Sequence, residues 1–441
     1  MADPVRRVVS GAKPGTGHFE EFLANPARFM LRAWEECGEV AEFDLGGSTN
    51  VLLVGPAAHE AVFRAPDEQL SPSEPYAYMV PVFGEGIQFG APVAVERQQV
   101  KMQSNALTPR LMRGYAEIVA GEVERRIADW GDAGEKDFYD EFKELVLRTS
   151  THCLMGPEFR SKLTGEFGAL FHDLEMAVSP ASILDPYGQE EVFARRDAAR
   201  RRLSEIITEV VRERRSGAGE HPDMLQSFLR ATYTDGRPLS EDEIVGMVIW
   251  IMFAGHHTSS NTSTWTLVEL ARHPDHAEKI AREVEGIFAG GDELSFAALR
   301  EIPRLERFLF EVLRLHPPLV TLMRLVKRDF DFRGLTIPAG ETVVVSPYVA
   351  HRMPDLYPEP ECFDPDRSFP DDVFAYIPFG GGRRKCVGNA FALLQVKAVF
   401  CALLQRYEFE LVDPADSYRE AMPSLILRTT EPCRLRYRRR S

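Results

Sequence analysis

The sequence predicts a mainly α-helical protein with a smaller β-rich part, an α+β organisation in a single domain over residues 1–441. Apolar side chains recur at helical spacing through almost all of residues 94–215. A capping box at Ser240–Glu243 begins a further helix of roughly 32 residues, which Pro274 stops. Residues 324–345 are β-rich, and no shift in composition divides the chain cleanly.

The first part of the chain alternates between short elements. Its predicted elements are an amphipathic helix over residues 18–37, strands near Val40–Leu45 and Asn50–Val54, and a helix over Ala57–Arg64. Prolines and aromatic residues then crowd residues 71–89, which predicts an irregular loop. Because exposed apolar loops are unfavourable, we expect this loop to line a cavity or to act as a cover.

Helical patterns dominate the rest of the chain apart from the β-rich stretch. The predicted helices are Leu111–Trp130, Tyr139–Met155, Gly165–Met176, one opened by the basic stretch Arg195–Arg202, Asp275–Phe288, Leu305–Leu315 and Phe391–Leu404. Strand-forming residues occur in Arg324–Phe332, at Thr336 and in Glu341–Val345. The basic tail Arg434–Arg440 is predicted to be a short solvated C-terminal segment.

The long central helix changes character halfway along. Ile244–Ala254 is apolar on all sides, which predicts a course through the protein centre. Residues 254–262 are instead rich in Gly, Thr and Asn, which each cost a helix interior up to about 1 kcal/mol relative to Ala. Such contradictions of local propensity concentrate at functional sites. An isolated histidine pair is ordinarily a surface or satisfied core pair, but the apolar helix and Thr258 favour a functional role for His257. His256 is expected to face another direction.

Composition places the chain among soluble globular proteins. It has 44% hydrophobic and 27% charged residues, and its net charge of −15 argues against a nucleic-acid partner. Six scattered cysteines lack metal or disulfide spacing, which predicts a reduced, cytoplasmic protein. The N-terminus has no apolar signal-peptide region, and the longest apolar run, Ile244–Ala254, is too short to cross a bilayer. We therefore expect no membrane anchor.

A glycine-rich basic loop, Phe379–Ala392, carries Cys386 and leads into an apolar helix. The positive end of that helix and the basic residues 383–385 favour the thiolate form of the cysteine, which is the form that binds metals. Glycines on both sides of the sulfur, at 380–382 and 388, would let a flat cofactor approach the backbone. One cysteine is not a metal-site signature, so a buried structural cysteine or a reactive nucleophile remains an alternative at this point.

Three charged residues upstream of the loop form weaker patterns. Glu311 and Arg314 are one turn apart on an otherwise apolar helix, and Arg367 lies in a proline-rich loop. The ordinary explanation of the first two is a surface pair, which contributes about a few tenths of a kcal/mol. Arg367 could complete a buried network with them.

Taken together, these motifs resemble those of the cytochrome P450 haem-thiolate monooxygenases. The matching features are Phe379-x-x-Gly382-x-x-x-Cys386-x-Gly388, Glu311-x-x-Arg314, Arg367 and Ala254-Gly255-x-His257-Thr258, and the likeness covers residues 15–440. The resemblance implies a P450 fold and haem b as the cofactor, with Cys386 as the axial thiolate ligand of the iron. Glu311, Arg314 and Arg367 would be a structural network. His257 and Thr258 would be catalytic and relay protons for the activation of dioxygen.

Within that family the chain looks most like the sterol 14α-demethylases, especially the soluble bacterial ones. The likeness lies in Ala254–Ser260, Tyr76–Phe89 and Leu313–Arg324. By position it implies that the haem is bound, besides Cys386, by Tyr76, Arg97, Lys101, Arg324, Phe379, Gly380, Arg384 and Gly388. It also implies an apolar substrate pocket lined by Tyr78, Met79, Phe83, Phe253, Ala254, His257, Leu319, Leu322 and Leu425.

Some positions depart from the sterol 14α-demethylases. Gly90 stands where they carry Asp, and Tyr78 stands where they usually carry Phe or Leu. Residues 98–99 are glutamines where basic residues are expected, so Arg97 or Lys101 would take over the contact with a haem propionate. Because Tyr78 and Gly90 bear on the substrate, an alternative is a hydroxylase of another apolar polycycle, such as a terpenoid or steroid.

The implied reaction is a series of three oxidations of a sterol 14α-methyl group, to the alcohol, to the aldehyde, and then to formate by C–C cleavage. Each oxidation consumes one dioxygen and two electrons. No flavin or ferredoxin segment fits into the chain, so a separate ferredoxin, or a flavodoxin, and its reductase are implied. Arg383, Arg384 and Lys385 would present a positive surface to that acidic partner, and a merely solvent-facing charge run is the alternative. A haem-binding sensor or electron carrier is disfavoured, because it needs no proton relay.

Overall fold

The computed structural model describes residues 4–163, 165–179, 182, 188–217, 221–289, 294–422 and 426–440. The chain forms two compact units, each assembled from separate stretches of sequence. The β-rich unit comprises Met1–Tyr78, Phe310–Cys386 and Ala421–Arg428. The helical unit comprises Met79–Leu309, Val387–Glu420 and Thr429–Ser441. A mainly α protein with a smaller β part is what the sequence predicted, and the observed elements confirm it.

A six-stranded mixed sheet forms the centre of the β-rich unit. Its strands, numbered in chain order through the whole protein, are β1 (Arg7–Val8), β2 (Val40–Leu45), β3 (Ser48–Leu53), β4 (Leu70–Ser71), β6 (Leu322–Val326) and β9 (Thr342–Val345). Their order in the sheet is β1-β2-β3-β9-β6-β4. A separate hairpin pairs β7 (Phe330–Phe332) with β8 (Leu335–Ile337). The helices of this unit are α1 (Phe19–Ala24), α2 (Pro26–Cys37), α3 (Pro56–Arg64) and α14 (Pro347–Ala350).

Both faces of this sheet are buried. Val51 of β3 lies in the same apolar cluster as Val62 of α3, whereas its neighbour Leu52 lies in the cluster that contains Phe29 and Met30 of α2. Successive strand residues point to opposite faces, so adjacent apolar residues serve two different cores. The β-rich unit is therefore a sheet covered by helices on both sides.

Helices make up most of the helical unit. They are α4 (Val80–Phe83), α5 (Val93–Asn105), α6 (Pro109–Ile127), α7 (Phe138–Ser161), α8 (Gly165–Met176), α9 (Glu190–Ser216), α10 (Met224–Arg230), α11 (Glu241–Arg272), α12 (Pro274–Phe288), α13 (Pro303–Leu315, whose last residues belong to the β-rich unit) and α15 (Asn389–Arg406). None of the helices in the part of the chain that is described has the length and apolarity needed to cross a membrane.

The predicted 32-residue central helix is confirmed as α11, which is 32 residues long. Ser240 caps its N-terminus by accepting from the Glu243 backbone, while the Glu243 side chain accepts from the Ser240 backbone. Its polar middle stays helical because side-chain hydroxyls bond within the helix. Thr258, Ser260 and Thr262 each donate to the carbonyl four residues earlier. This back-bonding satisfies polar groups that would otherwise be unpaired inside the protein.

Two sequence-based expectations about the chain ends were wrong. Residues 18–37 form two helices rather than one, because Asn25 is extended and caps α2 while Pro26 begins it. The basic tail is not a solvated segment but the central strand, β11 (Arg434–Arg439), of a three-stranded sheet with β5 (Ala133–Asp137) and β10 (Tyr407–Leu411). Its arginines alternate with the buried Leu435 and Tyr437, so the strand period places the charges on the outer face.

A fully buried carboxylate organises the chain that follows α13 in the β-rich unit. Glu311 is 0% exposed and accepts hydrogen bonds from Arg314, Arg367 and the Asp364 backbone. Arg314, also 0% exposed, donates in addition to the backbone carbonyls of His351, Pro360 and Cys362. The pair is thus not a surface pair. It anchors the proline-rich segment by its backbone.

We expect Arg314→Met to destabilise the protein by about 3–5 kcal/mol, because it leaves a buried carboxylate short of its main partner. Urea unfolding monitored by circular dichroism measures this loss. The matched control is Arg282→Met, which removes the guanidinium of an exposed i,i+4 pair with Glu278 and should change stability by less than about 0.5 kcal/mol. Equal effects of the two substitutions would contradict the assigned role of the buried network.

Candidate functional site

The loop that carries Cys386 lies directly on α3 within the β-rich unit. Gly382 has a φ of +58°, and a Cβ atom there would lie 2.1 Å from the Phe63 carbonyl oxygen. A Cβ atom on Gly381 would lie 2.6 Å from the Phe63 ring. The Cys386 amide donates to the Phe379 carbonyl at 2.9 Å, and the cysteine itself is exposed. The glycines are therefore required for the close approach to α3, and the resulting turn presents an accessible thiol.

Two further glycines from the sequence prediction bound this turn. Gly380 has a φ of +65° and its amide donates to the Ile377 carbonyl at 3.0 Å. Gly388 is the N-cap residue of α15, whose first turn begins at Asn389. Cys386 thus lies three residues before the first residue of α15. The cysteine therefore precedes the N-terminal, positive end of a helix, as the sequence suggested.

The β-rich unit contains a small cavity with a charged lining. Three arginines, Arg324, Arg383 and Arg384, line it together with Asp67. Arg324 is 8% exposed and donates to the Met323 carbonyl at 2.7 Å. Burial lowers the pKa of its guanidinium, and no described carboxylate lies within ion-pair distance of it. Arg384 is paired with Asp67 at 3.1 Å. Three guanidinium groups against one carboxylate give this cavity a charge balance that suits an anionic ligand.

Tyr76 lies in the same part of the β-rich unit. Its hydroxyl oxygen accepts from the Met323 amide at 3.1 Å, and burial raises the pKa of Tyr76 although nearby Arg324 opposes the shift. The structure therefore brings together Tyr76, Arg324 and Arg384, three of the residues that the sequence predicted to bind a cofactor.

The predicted contacts on α5 are distributed differently. Arg97 and Lys101 are exposed and one turn apart, on one face of the helix. Gln99 is buried, and its amide donates to the Gly86 carbonyl at 2.8 Å and to the Tyr233 hydroxyl at 3.1 Å. We call residues 79–90 the roof segment. Gln99, one of the two glutamines that stand where basic residues were expected, thus connects α5 to this segment.

Arg200 holds the other side of the roof segment. From α9 it donates to the carbonyls of Val82 and Phe83, both at 3.2 Å, at the C-terminal end of α4. Gly84 follows with a φ of +106°, and a Cβ atom there would lie 2.4 Å from the Arg200 guanidinium. The last carbonyls of a helix have no partner within the helix, and here the Arg200 guanidinium donates to two of them. The expected irregular loop is therefore an ordered segment with a four-residue helix.

Aromatic residues from the roof segment and α11 form a continuous cluster. The Phe83 ring centroid lies 5.0 Å from that of Trp250 and 5.4 Å from that of Phe253, and the Phe253 centroid is 5.6 Å from that of His257. Phe83 is 1% and Phe253 is 7% exposed. Ala254 follows Phe253 on the helix and accepts from the Thr258 hydroxyl at 2.8 Å. Met79, at the start of the roof segment, is partly buried.

His257 faces a carboxylate that the sequence analysis missed. Its Nε2 lies 2.7 Å from Oε1 of Glu175 on α8. His256 does not face another direction as expected, because its Nδ1 lies 3.3 Å from the same oxygen. Burial opposes ionisation of Glu175, but hydrogen bonds from both histidines outweigh it and hold the pKa of Glu175 well below its usual range. The carboxylate is therefore charged throughout the physiological range.

The remaining predicted pocket residues lie in the β-rich unit. Burial raises the pKa of Tyr78, and its hydroxyl makes no hydrogen bond within the described part of the chain. Leu322 begins β6 and is partly buried, whereas Leu319 is 39% exposed. Leu425 lies outside the described residues.

No local signal in the sequence identifies Glu175 or Arg200 as partners of the central helix and the roof segment. Glu175 is 82 residues before His257 on an ordinary amphipathic helix, and Arg200 is one of several arginines in a basic helix. A burial pattern alone cannot distinguish them, since charged residues on helices are usually solvated. Only the packing of α8 and α9 against these elements selects them.

Comparisons with known proteins show which proteins the chain is similar to. The family model described as Cytochrome P450 matches residues 12–436. A sterol 14alpha-demethylase of Mycobacterium tuberculosis is 42% identical over 98% of this chain and 98% of its own length. A lanosterol 14-alpha demethylase of Bos taurus is 36% identical over 97% of this chain and 86% of its own. A solved structure, retinoic acid bound cyanobacterial CYP120A1, covers 100% of both chains with a TM-score of 0.87 and 24% identity, which shows the shared fold.

We expect Gly382→Ala to destabilise the loop that carries Cys386 by about 1–3 kcal/mol, because the new Cβ atom combines an unfavourable φ with a clash against the Phe63 backbone. Haem content after expression and the urea midpoint measure the effect. Gly114→Ala in α6 is the matched control, since a Cβ atom there meets nothing within 4 Å and should be neutral or stabilising. Full haem loading and an unchanged midpoint in Gly382→Ala would contradict the close-approach argument.

Proposed function

The chain belongs to the cytochrome P450 family, and from this we propose that it is a sterol 14α-demethylase that receives electrons from a separate ferredoxin. As a family member it is a monooxygenase that uses haem with a cysteine thiolate ligand, dioxygen, a redox partner and an apolar substrate. The full-length identity of 42% to a protein named sterol 14alpha-demethylase is the observation that carries the finer proposal.

The residues present fit the haem. Cys386 is the thiolate donor that the proposal requires, since it is exposed on the glycine turn and lies just before a helix N-terminus. Arg324 is a buried cation without a described carboxylate partner, and it would hold one propionate, with Tyr76 beside it. Arg384 would contact a propionate while it stays paired with Asp67. When bound, the haem supplies the activation of dioxygen that inserts oxygen into a C–H bond.

The helical unit supplies what an apolar polycycle needs. Phe83 and Phe253 offer large apolar surfaces, and Arg200 and Gln99 hold the roof segment by its backbone carbonyls. A pocket wall fixed through backbone contacts keeps its side chains in place without placing charges beside the substrate. We propose that this wall contacts the sterol rings.

His257, Glu175 and Thr258 provide a proton path in our proposal. The charged Glu175 orients the His257 ring through the 2.7 Å contact with Nε2, and an imidazole held in this way can act in proton transfer. The Thr258 hydroxyl donates to Ala254 and can accept in turn, which lets it pass a proton along the α11 face. Glu175 is thus a positioning residue, whereas His257 and Thr258 are the groups that move protons.

Two exposed cations are available for an acidic redox partner. Arg383 and Lys385 are exposed beside Cys386, whereas Arg384 is largely buried against Asp67. The positive surface that we propose for ferredoxin docking therefore involves the first and the last of the three basic residues.

We expect the haem-loaded protein, supplied with a ferredoxin and its reductase, to convert a lanosterol-type sterol with release of one formate per sterol and consumption of three dioxygen molecules. The substrate should also shift the Soret band. The matched sterol that lacks the 14α-methyl group should bind and yield no formate. Cys386→Ser should lose both turnover and the thiolate-type carbon monoxide spectrum. Absence of any Soret shift or of formate with every 14α-methyl sterol would refute the demethylase proposal.

We expect Glu175→Gln and Thr258→Ala to uncouple the reaction, so that dioxygen is consumed with several-fold less product and more peroxide, because protons arrive too slowly. Product per dioxygen, peroxide release and the solvent deuterium isotope effect measure this. Glu166→Gln on the same helix α8 is the control, since Glu166 forms an exposed pair with Arg202. Coupling in Glu175→Gln equal to that of the control would count against the relay.

The hydroxyl of Tyr78 favours one alternative function. It makes no hydrogen bond within the described residues, and burial raises its pKa, so a polar group on the substrate would give it a partner. A hydroxylase of another apolar polycycle, such as a terpenoid or steroid, would use it in this way. Hydroxylation of such a compound without any sterol turnover, lost in Tyr78→Phe, would favour this alternative.

A further inference from the structure

Histidines surround the Glu175 carboxylate on more than one side. His257 Nε2 and His256 Nδ1 lie 2.7 Å and 3.3 Å from its Oε1, and His172 Nδ1 lies 3.8 Å from its Oε2. One ligand atom each from Glu175, His256 and His257 lie within 4.8 Å of one another. A proton path needs one histidine beside the carboxylate, so the second inner histidine requires its own explanation.

The orientation of His256 supplies that explanation. Its Nε2 lies 3.1 Å from the Lys143 carbonyl, which can only accept, so Nε2 carries the proton. In the neutral ring Nδ1 is then a bare lone pair, and it points at a carboxylate oxygen. At 3.3 Å the two atoms attract each other only when a cation, either a proton or a metal ion, lies between them.

A metal ion meets this requirement. Imidazole nitrogens and a carboxylate oxygen are the ligands of open zinc sites, with bonds of about 2.0–2.1 Å that place ligand atoms about 3.3 Å apart. The distance from His256 to Glu175 already has this value, and that from His257 to Glu175 would need to widen by about 0.6 Å. Metal-binding histidines almost always donate their other N–H to a carbonyl or carboxylate, as His256 does to Lys143.

An entry route to these atoms is present. The side chain of His172 is 61% exposed, that of Glu175 is 14% exposed and that of His256 is 6% exposed. Exposure thus decreases in steps from the surface histidine through the carboxylate to the inner ligand. His172 can pass an ion from solvent to Glu175.

We propose that Glu175, His256 and His257 form a binding site for a divalent transition-metal ion of the zinc type, with water as the fourth ligand. The bound ion is coordinated by Nε2 of His257, the nitrogen that faces Glu175, and this nitrogen can then no longer carry a proton. Zinc then inhibits turnover, a consequence that rests on the proposed role of His257 in proton transfer, whereas the metal site itself does not.

Zinc binding to the haem-loaded protein tests the site. Equilibrium dialysis against Zn²⁺ with metal analysis should find one zinc per chain, and zinc-edge X-ray absorption should find only nitrogen and oxygen ligands at about 2.0–2.1 Å. His256→Ala and Glu175→Gln should each weaken binding by at least about tenfold. The control His273→Ala removes a histidine from another His–Glu pair at the end of α11, with Glu269, and should bind zinc like the wild type.

Several results would overturn the site. These are the absence of stoichiometric zinc, sulfur among the zinc ligands, or unchanged affinity in both His256→Ala and Glu175→Gln. Inhibition of turnover by zinc is an independent test. The variant His256→Ala lacks one proposed zinc ligand but keeps the contact between His257 and Glu175. Zinc should inhibit the wild type and not His256→Ala. Tight zinc binding without inhibition would support the metal site and count against the proton path, so the two proposals can fail separately.

Discussion

Glu311 is a carboxylate with no contact with water, and the constraint that it be neutralised inside the protein determines much of the β-rich unit. A single arginine could neutralise it, but Arg314 and Arg367 together also donate to carbonyls of the proline-rich segment. Prolines leave that segment with few backbone donors of its own, so side-chain donors hold it in place. The segment leads directly to the turn that carries Cys386. The charge network therefore fixes the part of the chain that immediately precedes the thiol.

The same constraint has a different outcome at Glu175. There the partners are histidines, whose ring nitrogens can donate, accept or bind a metal ion, rather than arginines, whose side chains only donate. Arginine pairs give a fixed scaffold, whereas a carboxylate between two imidazoles is a site that can exchange protons or bind a metal ion. The chemistry of the partner separates the structural carboxylate Glu311 from Glu175, for which we propose a function.

Much of the fold could be predicted because local patterns and packing agree. The capping box at Ser240 and the stop before Pro274 define α11, and β2 was predicted with its observed bounds. The failures have physical causes. Asn25 interrupts a continuous amphipathic pattern by capping its own helix, and the arginines of β11 conceal a strand whose alternate residues are buried. At Asn25 a side-chain hydrogen bond to the backbone outweighed the helical pattern of apolar residues. In β11 pairing with two neighbouring strands outweighed the basic composition of the segment.

The sequence by itself determined the chemistry of the Cys386 loop, because glycines, cysteine and basic residues act within one short turn. It also determined the pair of Glu311 and Arg314, since one helical turn brings the two together. Only the tertiary structure decided which carboxylate faces His257, that His256 turns to the same oxygen, and that Arg200 holds the roof segment. These contacts join helices far apart in sequence, and no local propensity specifies which solvated charge becomes buried when helices pack.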